Sequence, residues 1–447
     1  MPQDKEILAL NAFDRDSLSA MDAGLRQAVD RRLRSFGSGA VLSYQEPLRM
    51  ERAEGAWMFD TQGRRYLDLY NNVPSVGHSH PRVVEAIRKQ VGLLNTNMRY
   101  LNDVVDGYAE RLLATFPAAI DRLMLTCTGS EANDLALRIA ATATGGTGFI
   151  VTETAYHGNT AAVTDVSPSS RPGQPPPPYV RVVPAPETYR FPTADVGRRF
   201  AACVEAAIGD LERNGIGLAG LLLDTIFSSD GVYADPAGFL APAVKLVHEC
   251  GGVFIADEVQ PGFGRTGAAL WGFARHEVVP DIVTMGKPMG NGFPMGGVAM
   301  RAALLDRFTE EVKYFNTFGG NPVAAAAGLA VLDVIADEGL IENSQAVGGY
   351  LMDRLREIGN RHLQIGEVRG AGLFIGLELV RDRDAKEPAP EIARQLINGL
   401  RHRGILIGAA GRYGNTLKIR PPLCFTRENV DIFITACDEV LREICRA

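Results

Sequence analysis

Between Leu67 and Met300 the chain repeats one rhythm, a short apolar run followed by a longer stretch with helix-like spacing. The runs within Arg122–Cys127, Gly220–Asp224, Val253–Asp257 and Asp281–Met285 show no polar–apolar alternation. A strand that is apolar at successive positions buries both faces, as in a parallel sheet covered by helices on each side. Glu131–Ala143 and Pro242–Glu249 predict two of those helices; in the second, Val244, Leu246 and Val247 supply the apolar residues. The pattern implies an α/β fold with a mainly parallel sheet. In such a sheet ligands collect beyond the carboxyl ends of the strands, so the informative residues should follow each apolar run.

The remainder of the chain reads differently. Ser167–Asp195 contains nine prolines and cannot be regular helix; it predicts a stiff surface loop, with a proline-recognition peptide as the alternative. After Asn321 a helical stretch precedes a strand at Gly372–Val380, and Glu428–Arg446 predicts a closing helix. We expect three parts, an N-terminal segment, 1–65, packing with the small domain, a large domain, 66–325, and a small α+β domain, 326–447.

Bulk composition narrows the function classes. With 447 residues, 46% hydrophobic and 22% charged, the chain is ordinary globular protein of more than one domain. A net charge of −7 with no basic stripe gives no footprint for nucleic acid; "RRLR" at Arg31–Arg34 reads as a solvated helix face. The six cysteines are scattered with no C-x-x-C pair, and the seven histidines lack ligand spacing. We therefore expect reduced thiols and no metal site. The first eighteen residues carry acids among their apolar positions and lack a signal-peptide core. Val323–Leu332, the longest nearly apolar run, is about half the ~20 residues of a membrane span. A soluble, cytoplasmic protein without membrane partners is expected.

Three strand ends carry candidate chemistry. After Cys127, a Thr-Gly-Ser turn leads into a helix for which Ser130 is the expected N-cap. Such a start is either an ordinary capped helix or a phosphate cradle, because the first amides of a helix lack partners. No Walker A sequence occurs, so a nucleoside triphosphate is not implied. Asp257 and Glu258 close the strand "VFIAD"; a carboxylate there could cap a helix, bind a metal, or keep a heterocyclic nitrogen protonated. Lys287 lies among glycines and prolines in "DIVTMGKPMGNGFPMGG". It is either an exposed loop lysine or one withdrawn from water to act as nucleophile or base. A phosphate grip, an acid behind a ring nitrogen and a carbonyl-trapping lysine are the handles pyridoxal phosphate requires.

At this point the sequence resembles a known family, the class-III pyridoxal-phosphate aminotransferases of fold type I. The resemblance runs from "GAWMFDTQGRRYLDLYNNVPSVGHSHP" to "LKIRPPLCFTRENVD", with "TGSEAND", "AYHG", "DEVQPGFGRTG", "TMGKPMGNGFP" and "FNTFGGNP" in family order. It implies a large domain with a sheet of the seven-stranded type and a small C-terminal domain. It also implies that Lys287 bonds the cofactor, pyridoxal 5′-phosphate, and that Asp257 pairs with its ring nitrogen. Gly129 and Ser130 would hold the phosphate, Tyr156 would stack on the ring, and Gln260 would approach the phenolic oxygen. His157 would be a ring packed beside the cofactor. Thr317 would reach the phosphate of a neighbouring subunit, which implies a homodimer with shared sites or a tetramer of such dimers.

The departures from the family pattern bear on the reaction. Transaminases of the class usually carry an arginine where this chain has Lys418, and two glutamates where it has Asp224 and Ser229. Without a forked guanidinium, two-point recognition of a substrate α-carboxylate loses its donor, whereas a lysine suits a phosphate. The same substitutions mark the subgroup of phospho-lyases that act on small phosphorylated amines such as phosphoethanolamine or 5-phosphohydroxylysine. Lys418, Arg420 and Arg99 are the candidate phosphate holders. An ω-aminotransferase using pyruvate or 2-oxoglutarate is the alternative.

Overall fold

The structure, a computed structural model, describes residues 13, 17–18, 21–39, 41–444 and 446. Most of the N-terminal stretch examined for a signal sequence lies outside them, as does Cys445. Three strands open the fold, β1 (Met50–Glu54), β2 (Trp57–Asp60) and β3 (Arg65–Asp68). Seven follow: β4 (Arg122–Thr126), β5 (Gly148–Thr152), β6 (Val180–Val183), β7 (Leu218–Asp224), β8 (Val253–Asp257), β9 (Ile282–Met285) and β10 (Gly296–Met300). The last six are β11 (Ile365–Ala371), β12 (Phe374–Asp382), β13 (Glu387–Pro388), β14 (Ile405–Leu406), β15 (Gly408–Ala410) and β16 (Thr416–Ile419).

β4 to β10 form one sheet in the order β4-β10-β9-β8-β7-β5-β6. β10 runs antiparallel to both neighbours, and every other pairing is parallel. β8 shows why its sequence is apolar throughout. Val253 and Ile255 face the core shared with Ala136 and Ile139 of the helix Gly129–Thr144. Phe254 and Ala256 face the opposite core, with Phe200 of the helix Val196–Arg213 and Val244 of the helix Ala241–Glu249. Both faces are covered, so neither can be polar.

The proline-rich segment departs from its expected loop. Val180–Val183 is a strand paired in parallel with β5 at the sheet edge. Prolines bracket it at 178 and 184, and an edge strand tolerates them because one side of its backbone needs no sheet partner. The second sheet, β11-β12-β16-β15, is antiparallel and carries β13 on β12. β14 instead pairs in parallel with β3, so the sheet of β1 to β3 takes its fourth strand from the C-terminal part of the chain. The closing helix spans Arg427–Ile444. No described helix is long and apolar enough to cross a membrane.

The strand pairings, with the Arg420 hydrogen bonds to Asn72 and Gln260, bring five segments to one place. Asp224 and Asp257 are register partners at the carboxyl ends of β7 and β8, and Thr284 partners Asp257 on β9. Lys418 on β16 and the residues after β3 approach the same edge.

Candidate active site

The first wall of the site is a helix start. Thr128, in extended backbone, accepts a hydrogen bond from the Glu131 amide at 3.1 Å, and the Glu131 carboxylate accepts from the Cys127 amide at 2.7 Å. The cap is therefore Thr128 and not Ser130. This correction shifts the helix start to Gly129 and makes Gly129 and Ser130 its first two residues. Their amides have no partner among the described residues, as expected of a first turn. Ser130 Oγ instead accepts from the Asn159 amide at 3.2 Å, fixing the loop that carries Tyr156. Gly158 in that loop has φ +142°, and a Cβ there would lie 2.5 Å from Ser130 Oγ. A Cβ on Gly286 would lie 3.1 Å from the Gly129 nitrogen. At 158 only glycine lets the loop close on the helix start, and at 286 any side chain would push the helix start back by a few tenths of an ångström.

Asp257 forms the second wall. Its Oδ2 accepts from Asn133 Nδ2 at 3.0 Å and contacts His157 Nδ1 at 2.7 Å, while Oδ1 accepts from the Val259 amide at 3.1 Å. Asn133 is held in turn by Thr284 Oγ1, which donates to its Oδ1 at 2.7 Å. His157, expected only as a packed ring, thus orients the carboxylate, and its Nε2 is buried without a partner. Glu258 serves another purpose. It accepts from Thr225 Oγ1 and from the amides of Gly272 and Phe273, and burial pushes its carboxyl up to about 7. Among the described residues no cluster of three histidines, cysteines or acids could hold a metal ion.

Lys287 follows β9 and has no hydrogen bond or ion pair among the described residues. Burial lowers its pKa, the charge of Arg420 lowers it further, and Asp257 and Asp224 oppose both. The lysine is not an ordinary surface ammonium. Tyr156 is half-buried, with its phenol pushed up by burial. Thr128, Gly129, Tyr156, Asp224, Asp257 and Lys287 line a cavity of about 290 Å³.

A polar chain leads from two residues of the cavity wall, Asp224 and Gln260, to Arg420 and Asn72 behind it. Asp224 accepts from Ser228 Oγ, and Ser228 Oγ accepts from Gln260 Nε2 at 2.5 Å. Gln260 Oε1 accepts from Arg420 Nη1, which also donates to Asn72 Oδ1 at 3.1 Å. Burial and then the neighbouring Asp257 push the Asp224 carboxyl up. Lys418 is 5% exposed and has no ion-pair or hydrogen-bond partner among the described residues. Burial, followed by the charges of Arg420 and Lys287, holds its pKa well below the ordinary lysine value. Arg99 and Thr317 do not join them. Both are exposed, Arg99 over the Phe315 ring at 3.9 Å, and neither lines the cavity of its own chain.

The arrangement fits pyridoxal phosphate. It offers unpartnered helix-start amides for the phosphate, an oriented carboxylate for the ring nitrogen, and a deprotonation-prone lysine between them. The class-III aminotransferase family model matches residues 40–441. The chain belongs to the class-III aminotransferases. Members of this family are pyridoxal-phosphate-dependent enzymes of fold type I, and so is this one. A Caenorhabditis elegans relative named ethanolamine-phosphate phospho-lyase homolog 1 is 39% identical over 93% of each chain. A Drosophila melanogaster relative named alanine–glyoxylate aminotransferase 2-like is also 39% identical, over 94% of this chain and 87% of its own. The solved structure of an Arthrobacter phospholyase in complex with phosphoethanolamine is 42% identical. It superposes with a TM-score of 0.90 over 93% of this chain and 99% of its own.

Three residues of this class-III site were not identified as site partners in the sequence. Asn133 had a signal, a lone amide on an otherwise apolar helix face. His157 adjoins Tyr156 but has no spacing that links it to Asp257. Asn72, in "YNNVPS", carries no local signal because its partner is Arg420, 348 residues away.

Proposed function

We propose that the protein is a phospho-lyase that eliminates phosphate from a small phosphorylated amine, O-phosphoethanolamine being the first candidate. The products would be acetaldehyde, ammonia and inorganic phosphate, with one water consumed. The observation that carries this reading is Lys418, a buried ammonium position without an acid partner beside the cleft, where transaminases place a forked arginine. The names of the nematode and bacterial relatives support it; that of the insect relative favours the transaminase alternative.

Bound pyridoxal phosphate supplies an aldehyde that captures the substrate amine and a ring that accepts electrons from the adjoining carbon. Lys287 Nζ, its pKa lowered by burial, takes the proton from the carbon bearing the amine. Asp257, fixed by Asn133, His157 and the Val259 amide, would hold the proton on the ring nitrogen. Gly129 and Ser130 would bind the cofactor phosphate through their amides. Tyr156 would cover the ring, and Gln260, bonded at its two ends to Ser228 and Arg420, would stand by its phenolic oxygen. Lys418 and Arg420 hold the departing phosphate, whose negative charge grows as the carbon–oxygen bond breaks.

Arg99 and Thr317 sit among exposed apolar side chains, with Leu101 97% and Phe318 70% exposed. An apolar patch of that kind supports a homodimer in which these two residues serve the neighbouring site. Free cysteines at every described position agree with a reducing, cytoplasmic setting.

The test is inorganic phosphate release from phosphoethanolamine without any keto acid, with 5-phosphohydroxylysine and unphosphorylated amines in parallel. Sustained turnover supports the lyase. Turnover only with added pyruvate or 2-oxoglutarate, with no phosphate released, would assign an aminotransferase.

A further inference from the structure

Three buried side chains beside the cleft hold donors that no described residue accepts. Arg420 Nε and Asn72 Nδ2 are buried without an acceptor, and Lys418, whose Nζ lies 6.0 Å from the centre of the Phe374 ring, makes no hydrogen bond or ion pair; Lys418, Arg420 and Asn72 are 5%, 7% and 3% exposed. Lys418 and Arg420 stand two residues apart at the end of β16, so their side chains leave on one face. That face looks toward Lys287 and Asp224 of the cavity wall, whose charges act on Lys418. Asn72 joins from the segment after β3, next to Val73, another cavity-lining residue. Its amide orientation is settled by chemistry. Arg420 can only donate, so Asn72 must turn its oxygen to it, leaving the nitrogen as the free end.

A buried donor without an acceptor is costly, and two of them from two segments, beside a lysine with no ion-pair partner, mark a missing acceptor. Two of the three side chains are basic, and no carboxylate lies within ion-pair distance of either among the described residues. The acceptor that fits is a dianion. Arg420 Nη1 is already committed to Gln260 and Asn72, so its Nε edge is left for the anion, and two cations with no carboxylate between them favour a doubly charged ligand over a singly charged one.

We infer that Asn72 is a specificity residue which, with Lys418 and Arg420, completes a receptor for a phosphate monoester dianion. The inference rests on the proposed function for the identity of the substrate, and deepens it by assigning a residue from the N-terminal part of the chain to phosphate recognition. Asn72 touches the leaving group and no reacting carbon, so it governs binding more than turnover.

The experiment uses the holoenzyme, in which the cofactor's own phosphate already fills the helix-start site, and titrates it calorimetrically with inorganic phosphate and with acetate. Asn72→Asp keeps the size and the oxygen facing Arg420 but loses the donor. Asn72→Ala removes both, and it decides the matter if the aspartate variant fails to fold. Wild type should bind phosphate at least about tenfold better than acetate, and both variants should bind phosphate about tenfold or more weakly than wild type. Their visible cofactor absorbance should be unchanged, and KM for phosphoethanolamine should rise more than kcat falls. Phosphate binding equal to wild type in either folded variant, or equal binding of acetate, overturns the receptor. Asn72-dependent phosphate binding without phosphate release from phosphoethanolamine would instead leave the receptor standing and defeat the proposed function.

Discussion

Replacing Lys418 with methionine separates binding from stability in one substitution. Methionine keeps the length of the side chain and removes its charge and its donors. In the complex, a charge-assisted hydrogen bond to the substrate phosphate would be lost, about 1.5–3 kcal/mol, or roughly 10- to 150-fold in KM. In the free protein the same change relieves a burden, because Lys418 is 5% exposed with no hydrogen-bond or ion-pair partner among the described residues. Removing an unpartnered buried polar group should return about 1–3 kcal/mol. The pH dependence has a definite sign. The folded pKa of Lys418 lies well below 10.5, so between those two values the unfolded chain binds a proton that the folded one does not. The Lys418 contribution to stability therefore rises with pH up to about 10.5 and is flat above. The methionine variant should melt higher than wild type, with the difference largest at neutral pH and shrinking toward pH 10.5. The assay pairs steady-state phosphate release with thermal melts across that range. An unchanged KM, or a variant less stable than wild type at pH 7, would refute the placement of an uncompensated amine beside the substrate phosphate.

Three further outcomes follow from the geometry. Asp257→Asn should lower kcat by about 10²–10³-fold, in the range of a lost electrostatic stabiliser, with KM nearly unchanged; equal activity would remove Asp257 from the mechanism. Gly158→Ala forces a Cβ to 2.5 Å from Ser130 Oγ at φ +142°; it should cost about 1–3 kcal/mol and weaken cofactor retention on dialysis, and a variant that holds cofactor normally would contradict the close approach. Burial would raise the Glu378 carboxyl, but Arg369 and Arg190 outweigh it and hold it at about 2. Its stabilisation should thus be complete above pH 4.5 and lost as pH falls toward 2. Glu378→Gln removes the carboxylate shared by Arg369 and Arg190, each of which keeps one other glutamate, Glu367 and Glu187, and should destabilise by about 1–3 kcal/mol at pH 7 in urea titrations.

How far the sequence carries the fold depends on whether a segment's neighbours are local. β7, β8 and β9 were legible because helices cover both faces, and this writes uninterrupted apolar runs into the chain. Asp224, Asp257 and Lys287 were legible because the ends of those runs mark the ligand side of a parallel sheet. β6 was not, since its sheet partner lies some thirty residues upstream in β5 and the flanking prolines signal a loop equally well. The helix cap was misplaced by two residues because Thr128 and Ser130 are both competent caps, and the choice falls to the Glu131 side chain folding back on Cys127. The polar chain Asp224–Ser228–Gln260–Arg420–Asn72 joins residues from three strand ends and two loops, with no periodicity to reveal it. Arg99 and Thr317 were read into the site by family pattern, and the single chain leaves both on its surface.

The most direct measurement is the location of the cofactor on the chain. The holoenzyme would be reduced with borohydride, digested and mapped by mass spectrometry, with Lys287→Ala treated alongside. One pyridoxyl group should appear on Lys287 in the wild type and none at that position in the variant, which should also lose phosphate release. A pyridoxyl group fixed to any other lysine, or full activity in Lys287→Ala, would contradict the assignment of this cleft as the seat of the reaction.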